Sequence, residues 1–460
     1  MPNWIKKTLL VALVFGACWG AVLWYWSATK RMPSTEDVVL CLLVLPLVLL
    51  LAYWLGTRLL AMLGTAPAAA VALPAEANAP VASGAAPLAI LAAALRTPHG
   101  ATPEELAAAL QDKKARADLD PELVDDEGFP LMTARSANAD DAGLQEEIAA
   151  WLDAHGMPEL SMGAEQWRAL VLGTAVASEL AGIASNDLLP PEGPFPTLHL
   201  MPVLPPEWPL AVRRAAGLWL REVTIQSGWP GAQIVLAAEL PAEAGAHGPM
   251  PALARLAHHV ASGDGSVIAI LLACGSHLGE DSIAEWAGRG TLFTPARPQG
   301  LIPGEGAAGL LLTDPARAIA IEGAAIAMLH TVDEARRHNS ADESKRVDAT
   351  LLDNLAHKVL ARCAAQASEV AMVVGDTGHR TSRVLELMGL ATAALPQLDT
   401  DADLVSIGAS SGTCGAVPFM AALALSHHHA IERHAPVLCI SNEDPYRRCV
   451  ALIRPAASLS

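Results

Sequence analysis

Residues 89–110, AILAAALRTPHGATPEELAAAL, decide the fold class. Ala89 to Leu95 is an unbroken apolar run, the pattern of a strand covered on both faces. A turn containing Gly100 follows. Thr102-Pro-Glu-Glu105 then reads as a capping box with proline at the first helical position. Strand, turn and helix therefore succeed one another within one short segment. Outward from it the alternation repeats. Trp208 to Gln226 reads as a helix with Leu210, Ala215 and Leu218 inward, Ala232 to Ala238 as a strand, and Pro251 to Ser262 as a helix. Val267 to Cys274 and Leu310 to Leu312 are strands. Beyond them come helix Ala349 to Ala365, strand Val370 to Val374, helix Ser382 to Thr392, strand Leu404 to Ile407 and helix Ala416 to Ala424. Val437 to Ile440 and Arg448 to Ile453 close the series. Such alternation predicts an α/β layered fold with mostly parallel, buried strands. Thr331 to Asp348, rich in charge, reads as a solvated connection between an N-terminal half (88–330) and a C-terminal half (349–460).

Upstream the character changes. Thr8 to Ala28 and Val38 to Gly56 are uncharged and near the ~20 residues that a membrane-spanning helix needs. Trp19, Trp24, Tyr25, Trp26, Tyr53 and Trp54 sit where interfacial aromatic belts form. No small-residue cleavage site follows Trp26, which argues against a signal peptide. Residues 1–64 thus read as two transmembrane helices. Lys6, Lys7 and Arg58 on the outer flanks outnumber Lys30 and Arg31 in the loop, so the rest of the chain is expected in the cytoplasm. Residues 65–87, Ala-rich with Pro67, Pro74, Pro80 and Pro87, read as a tether.

The 460 residues are 52% hydrophobic and only 17% charged, with a net charge of −18. The first 64 residues carry five bases against Glu36 and Asp37, a net +3, which leaves −21 for the remainder. That balance excludes a nucleic-acid binder, which needs clustered Lys and Arg. Cys274, Cys363, Cys414, Cys439 and Cys449 are odd in number and form no C-x-x-C pair, as expected of reduced, buried thiols.

Three segments could carry chemistry. Gly300 to Gly309 precedes the strand LLL, whereas a nucleotide loop would follow a strand and open a helix, so its glycines are expected to serve close backbone approach. Gly408-Ala-Ser410-Ser-Gly412 has the form of a hydrolase nucleophile elbow, which makes Ser410 the alternative catalytic candidate. Only 48 residues follow Gly412, and His434 precedes Asp444, the reverse of the usual order. His427, His428, His429 and His434 show no H-E-x-x-H spacing and no convergent carboxylate, so a solvated helix end is expected rather than a metal site. His247, His258 and His259 read the same way. No cofactor and no metal are expected.

Residues 88–455 resemble the thiolase and ketoacyl-synthase superfamily, through LRTPHGATPEELAAAL, GLIPGEGAAGLLL, GDTGHRTSRVLEL and SIGASSGTCGAVPFMAALAL. The resemblance implies a thiolase-like fold of two α/β halves. It also implies a cysteine nucleophile at a helix N-terminus and two histidines. Carried over, the cysteine position falls at 247–250, the first histidine at Gly375 and the second at Thr413 after Gly412; none holds the required group. His379 lies about a helical turn from the first histidine position, and Cys274 sits in the next strand. A fold kept without its chemistry implies a binding scaffold.

A narrower resemblance rests on LRTPHGATPEEL, LDPELVDDEGFPLMTAR and LMPVLPPEWPLAVR following a membrane segment. These strings resemble the type VI secretion lipase-adapter family. That resemblance implies a non-catalytic adapter at the bacterial inner membrane, which binds a lipase-type toxin in the cytoplasm and brings it to the secretion spike protein. The alternative is an acyl-processing enzyme of the inner membrane, with Ser410 as an esterase nucleophile or with relocated condensing groups. For binding, the acidic run Asp118 to Glu127 with Phe129 and Met132 is the candidate patch; Trp151, Trp167, Trp208, Trp229 and Trp286 are candidate anchors.

Overall fold

The computed structural model describes Trp19 and residues 86–456, apart from 126, 191–193, 238–247, 264–265, 322–324 and 344–346. The two expected membrane spans and all but the end of the tether lie outside the described residues, as does His247. The chain divides into two compact units, Met1–Ala79 and Pro80–Ser460, and the strands and helices that follow belong to the second.

The first half runs β1 (Leu88–Arg96), α1 (Pro103–Gln111), β2 (Asp118–Val124), β3 (Pro130–Thr133), α2 (Ala142–Ala154), α3 (Ala164–Leu188) and β4 (Leu198–Val203). It continues through α4 (Leu210–Gln226), β5 (Ile234–Leu236), α5 (Pro249–Ser262), β6 (Ile268–Ser276), α6 (Glu280–Arg289) and β7 (Glu305–Thr313). After α7 (Pro315–Ile319) come β8 (Ala327–Arg336), α8 (Thr350–Arg362), β9 (Met372–Gly375), α9 (Thr381–Ala394), β10 (Leu404–Ser406) and α10 (Gly408–Ser411). α11 (Val417–Arg433), β11 (Val437–Ser441) and β12 (Arg447–Pro455) end the fold.

Ten strands form one hydrogen-bonded sheet in the order β10-β9-β11-β12-β8-β1-β7-β6-β4-β5. Numbered within its own half, each set of five has the order 3-2-4-5-1, and the two first strands, β1 and β8, pair antiparallel at the centre. The molecule is therefore a repeat of one α/β unit. Only β4–β5, β4–β6, β9–β10 and β9–β11 are parallel; the sheet is mixed rather than mostly parallel. The reason lies at the end of each unit, where β7 runs antiparallel to β6 and β12 antiparallel to β11, and where β1 and β8 also pair antiparallel with those last strands.

The repeat also corrects the boundary between the halves. Residues 327–336 are the first strand of the second half, not part of a solvated connection. The charges that hide this strand are neutralised in place: Asp333, buried, lies 2.7 Å from Lys358 Nζ and 3.1 Å from Arg362 Nη1 of α8.

Both faces of the strands are covered, and successive residues feed different cores. Ala269, Leu271 and Ala273 of β6 join α5 and α11, whereas Ile268, Ile270, Leu272 and Cys274 join α3 and α4. In β12, Cys449, Ala451 and Ile453 face the α5–α11 layer, and Val450 and Leu452 face α8 and α9. α3 is the one helix among the described residues long and apolar enough to cross a membrane; it is largely buried in the core. On α4 the inward face is Val212, Ala215, Trp219 and Val223, while Leu218 is exposed. Trp219 sets that face, its Nε1 donating to Thr174 Oγ1 at 2.8 Å.

The opening segment folds as read. The N–H of Glu105 donates to Thr102 Oγ1 (3.2 Å), and the Glu105 carboxylate accepts from Ala101 N, one residue earlier than a strict capping box. The glycines of 300–309 serve close approach: a Cβ on Gly304 would stand 2.0 Å from the Ser411 carbonyl oxygen. Opposite it, Gly412 has φ +63°, a conformation that glycine adopts without steric cost. These two glycines clamp the end of β7 to the turn before α11. Between them Glu305, fully buried, accepts from Arg168 Nε (2.7 Å) and Nη2 (2.6 Å), Ser136 N (2.7 Å) and Ser276 Oγ (3.1 Å).

Candidate functional site

Two of the three positions at which condensing chemistry is expected, the segment before α5 and Thr413, line one pocket of about 370 Å³, and the residue next to the third, Gly375, lines it too. The N-terminus of α5 supplies Gly248, Pro249 and Met250, the turn after β9 supplies Asp376 beside Gly375, and the turn before α11 supplies Thr413. The side chains brought together there are the Met250 thioether, the Asp376 carboxyl and Thr413.

Asp376 accepts from Ser441 Oγ, from Asn442 N (2.9 Å) and from Glu443 N (3.2 Å). Burial pushes its carboxyl up to about 6 in spite of the hydrogen bonds from Ser441 and Asn442, with the nearby Glu443 charge adding to the rise. His277 also lines the pocket. Its Nδ1–H donates to the Thr413 carbonyl (2.8 Å), and Nε2 lies 3.0 Å from Glu207 Oε1. Burial opposes its protonation, yet those two partners outweigh it and raise the imidazole above its ordinary value. Both ring nitrogens are engaged. The pocket's cysteine, Cys449, sits in mid-strand and donates to Met250 Sδ at 3.1 Å. Burial, then the charges of Cys439, Glu334, Asp376 and Asp333, hold its thiol protonated well above the usual range, so thiolate, the nucleophilic form, is suppressed.

Among the solved structures that this chain resembles are ketosynthases. The chain has their thiolase-like fold. The ketosynthase from module 6 of the bacillaene synthase of Bacillus subtilis 168 matches with TM-score 0.54 at 13% identity, over 80% of this chain and 72% of that one. The ishigamide ketosynthase/chain length factor matches with TM-score 0.51 at 16% identity, over 80% and 99%. A type II polyketide ketosynthase solved with its acyl-carrier protein gives 0.54 at 12% identity, over 80% and 99%. At these identities the likeness is one of fold. No protein-family model and no curated protein sequence matches the chain.

Ser410 lies in the short α10, 1% exposed, and its hydroxyl donates to the Ile407 carbonyl of its own turn (2.8 Å). No histidine is among its hydrogen-bond partners. Cys414 is equally enclosed, its Sγ 3.6 Å from the Ser411 carbonyl, and burial drives its thiol far above the ordinary value. Cys274, likewise in the core, is pushed up to about 12 by burial. His379, the histidine nearest to the family motif, packs edge-on against Phe293.

The histidine string is not a solvated helix end. His427 and His429 are buried, and burial takes His427 down to about 4. The convergent carboxylate that the sequence reading did not find is Glu432, one turn on, with Glu104 of α1 on the other side. The spacing from His428 to Glu432 was the visible signal; Glu104 lies too far away in sequence to be found by spacing.

The candidate binding patch divides. Asp120 is structural: burial works against its charge, but Arg135 (2.9 Å) and Thr133 (2.6 Å) outweigh this and hold the carboxyl down at about 2. Around it, the β2–β3 hairpin and α6 enclose a groove of about 1270 Å³. Leu119, Val124 and Phe129 stand exposed in its wall, with Phe129 61% accessible, and Glu122, Asp125, Glu127 and Glu280 lie among its lining residues. The tryptophans contribute less surface: Trp208 and Trp229 are core residues, and Trp151, Trp167 and Trp286 are half-buried.

Proposed function

We propose that this chain is a membrane-anchored, catalytically inactive adapter on a ketosynthase fold, which binds a lipase-type toxin in the cytoplasm and delivers it to the type VI secretion spike protein. The observation that carries the reading is the occupancy of the converged pocket. The resemblance sets a thiolate near 247–250 and imidazoles at Gly375 and Thr413; Met250, Thr413 and Asp376, the neighbour of Gly375, line the pocket instead. The polar groups that line it are bonded to one another, and the pocket cysteine is held as a thiol.

A second observation supports binding. The hairpin groove joins exposed apolar side chains to carboxylates, in a chain whose residues beyond the first 64 carry −21. Such a surface suits a partner with apolar anchors and a basic rim, and its charge speeds encounter at low salt. The toxin and the spike protein are the partners of the adapter reading; no nucleic acid and no cofactor enter it, and the membrane is engaged through the N-terminal hairpin.

The test is co-purification of the full chain in detergent with a lipase toxin encoded beside its gene and with the cognate spike protein. Stable complexes with both support the adapter. Failure of both bindings, or ester or thioester turnover that disappears in Ser410→Ala or Cys414→Ala, overturns it.

A further inference from the structure

The last turn of α11 brings together two imidazoles and a carboxylate that neither the fold nor the adapter reading uses. His428, His429 and Glu432 each present one donor atom, and the three atoms lie within 4.8 Å of one another. Glu432 Oε2 is 3.0 Å from His429 Nδ1 and 3.6 Å from His428 Nε2. A tetrahedral zinc site with bonds of about 2.0–2.1 Å spaces its ligand atoms by roughly 3.3 Å, which these two separations bracket. The other nitrogen of His428, Nδ1, faces Glu104 Oε1 of α1 at 3.3 Å. That is the carboxylate–histidine arrangement which fixes tautomer and ring direction behind a metal-bound imidazole.

From these contacts we propose that His428 Nε2, His429 Nδ1 and the Glu432 carboxylate bind one divalent transition-metal ion, zinc(II) foremost, with Glu104 orienting His428. Two nitrogens and one carboxylate oxygen match zinc better than calcium or magnesium, which take oxygen donors. The site is built rather than loose. His429 is 8% exposed and His428 is largely enclosed between α11 and α1, so two of the three ligands enter the complex already ordered. Glu432, with 60% of its side chain accessible, leaves an approach path and room for a water in the fourth position. His427 takes no part: its ring is enclosed and points elsewhere in the core, with backbone groups of Ala325 and Ile90 as its neighbours. The two carboxylates, Glu104 and Glu432, provide the charge that attracts a cation to the site. Bound metal would fix the last turn of α11, with the His428–Glu104 contact carrying that order to the start of α1.

The experiment uses the full chain in detergent, without a polyhistidine tag and stripped of metal, titrated with zinc chloride by calorimetry and with cobalt(II) by visible absorption. The expected result is one zinc per chain, a tetrahedral-type cobalt spectrum and a metal-dependent rise in Tm. Glu432→Gln, at an accessible position that leaves folding intact, should weaken binding at least tenfold and abolish the Tm rise. His428→Ala should do the same, and Glu104→Gln should weaken binding about 10–100-fold with stoichiometry unchanged. Absence of saturable zinc binding overturns the proposal, as does binding that Glu432→Gln and His428→Ala leave unaltered. Partner capture by the same protein is a separate readout, so failure of the metal site leaves the adapter reading standing.

Discussion

The pocket between the halves and the groove beside the β2–β3 hairpin use their side chains in opposite ways. In the pocket, Asp376 is answered by Ser441 and two backbone N–H groups, His277 by Thr413 and Glu207, and Arg380 by Glu443 and Asp342. These groups are spent on one another. In the groove, Leu119, Val124 and Phe129 face outward, exposed. The contrast teaches where a scaffold of this kind can act: the pocket's polar groups are engaged with one another, whereas the hairpin groove presents apolar side chains to the outside.

The comparison is broken or sharpened by four substitutions. The largest effect is expected where a buried charge loses its partner. Arg168→Met leaves Glu305 unpaired in the core and should cost about 3–5 kcal/mol of stability, read as a lower midpoint in urea unfolding. A loss below 1 kcal/mol would show that the Gly-Glu-Gly turn is not held by this pair.

Asp376 comes next. Its carboxyl is raised from the ordinary 3.8 to about 6, so the folded state holds the proton more tightly than the unfolded chain does. The associated stability is complete below about pH 3.8 and is lost as pH rises through 6, by about 3 kcal/mol at 1.36 kcal/mol per unit. Asp376→Asn, which keeps a carbonyl acceptor for the two backbone donors, removes that loss. The stability of the variant relative to wild type should therefore improve by up to about 3 kcal/mol between pH 4 and pH 8, measured by denaturant titration at each pH. A difference independent of pH would mean that the carboxyl is not confined as described.

The groove should behave in reverse. Phe129→Ala is expected to weaken toxin binding by about 2 kcal/mol, as loss of an aromatic anchor does, while stability changes by less than about 0.5 kcal/mol. If stability falls and binding does not, the two regions are alike and the comparison fails. The smallest effect belongs to the opening segment. Thr102→Ala removes the acceptor for Glu105 N and should cost about 1 kcal/mol in stability, with partner binding unchanged.

Some of this was legible before folding. Apolar runs such as Ile268 to Cys274 announce strands because each face of the strand meets a core, and the cap at Thr102 announces α1 because it is local. β8 was illegible for the opposite reason. Asp333 is acceptable inside only because Lys358 and Arg362 reach it from α8, and spacing along β8 carries no trace of them. Leu218 of α4, inward by periodicity, is exposed because Trp219 claims the inner face through Thr174, 45 residues away. The acidic run was read as one patch, yet Asp120 is fixed by Arg135 and Thr133 while its neighbours line the groove.

By itself the sequence determined the α/β class, the apolar block at the N-terminus and the −21 charge of the remainder. These follow from composition and near-neighbour spacing, which a linear chain displays. Tertiary structure alone decided that Met250, Asp376 and Thr413 meet in one pocket, that residues 327–336 open a second copy of the same unit, and that Glu104 stands behind His428. Each depends on pairing β1 with β8 and sealing α5 and α11 between the halves, and long-range packing of that kind is set by the whole core rather than by any segment.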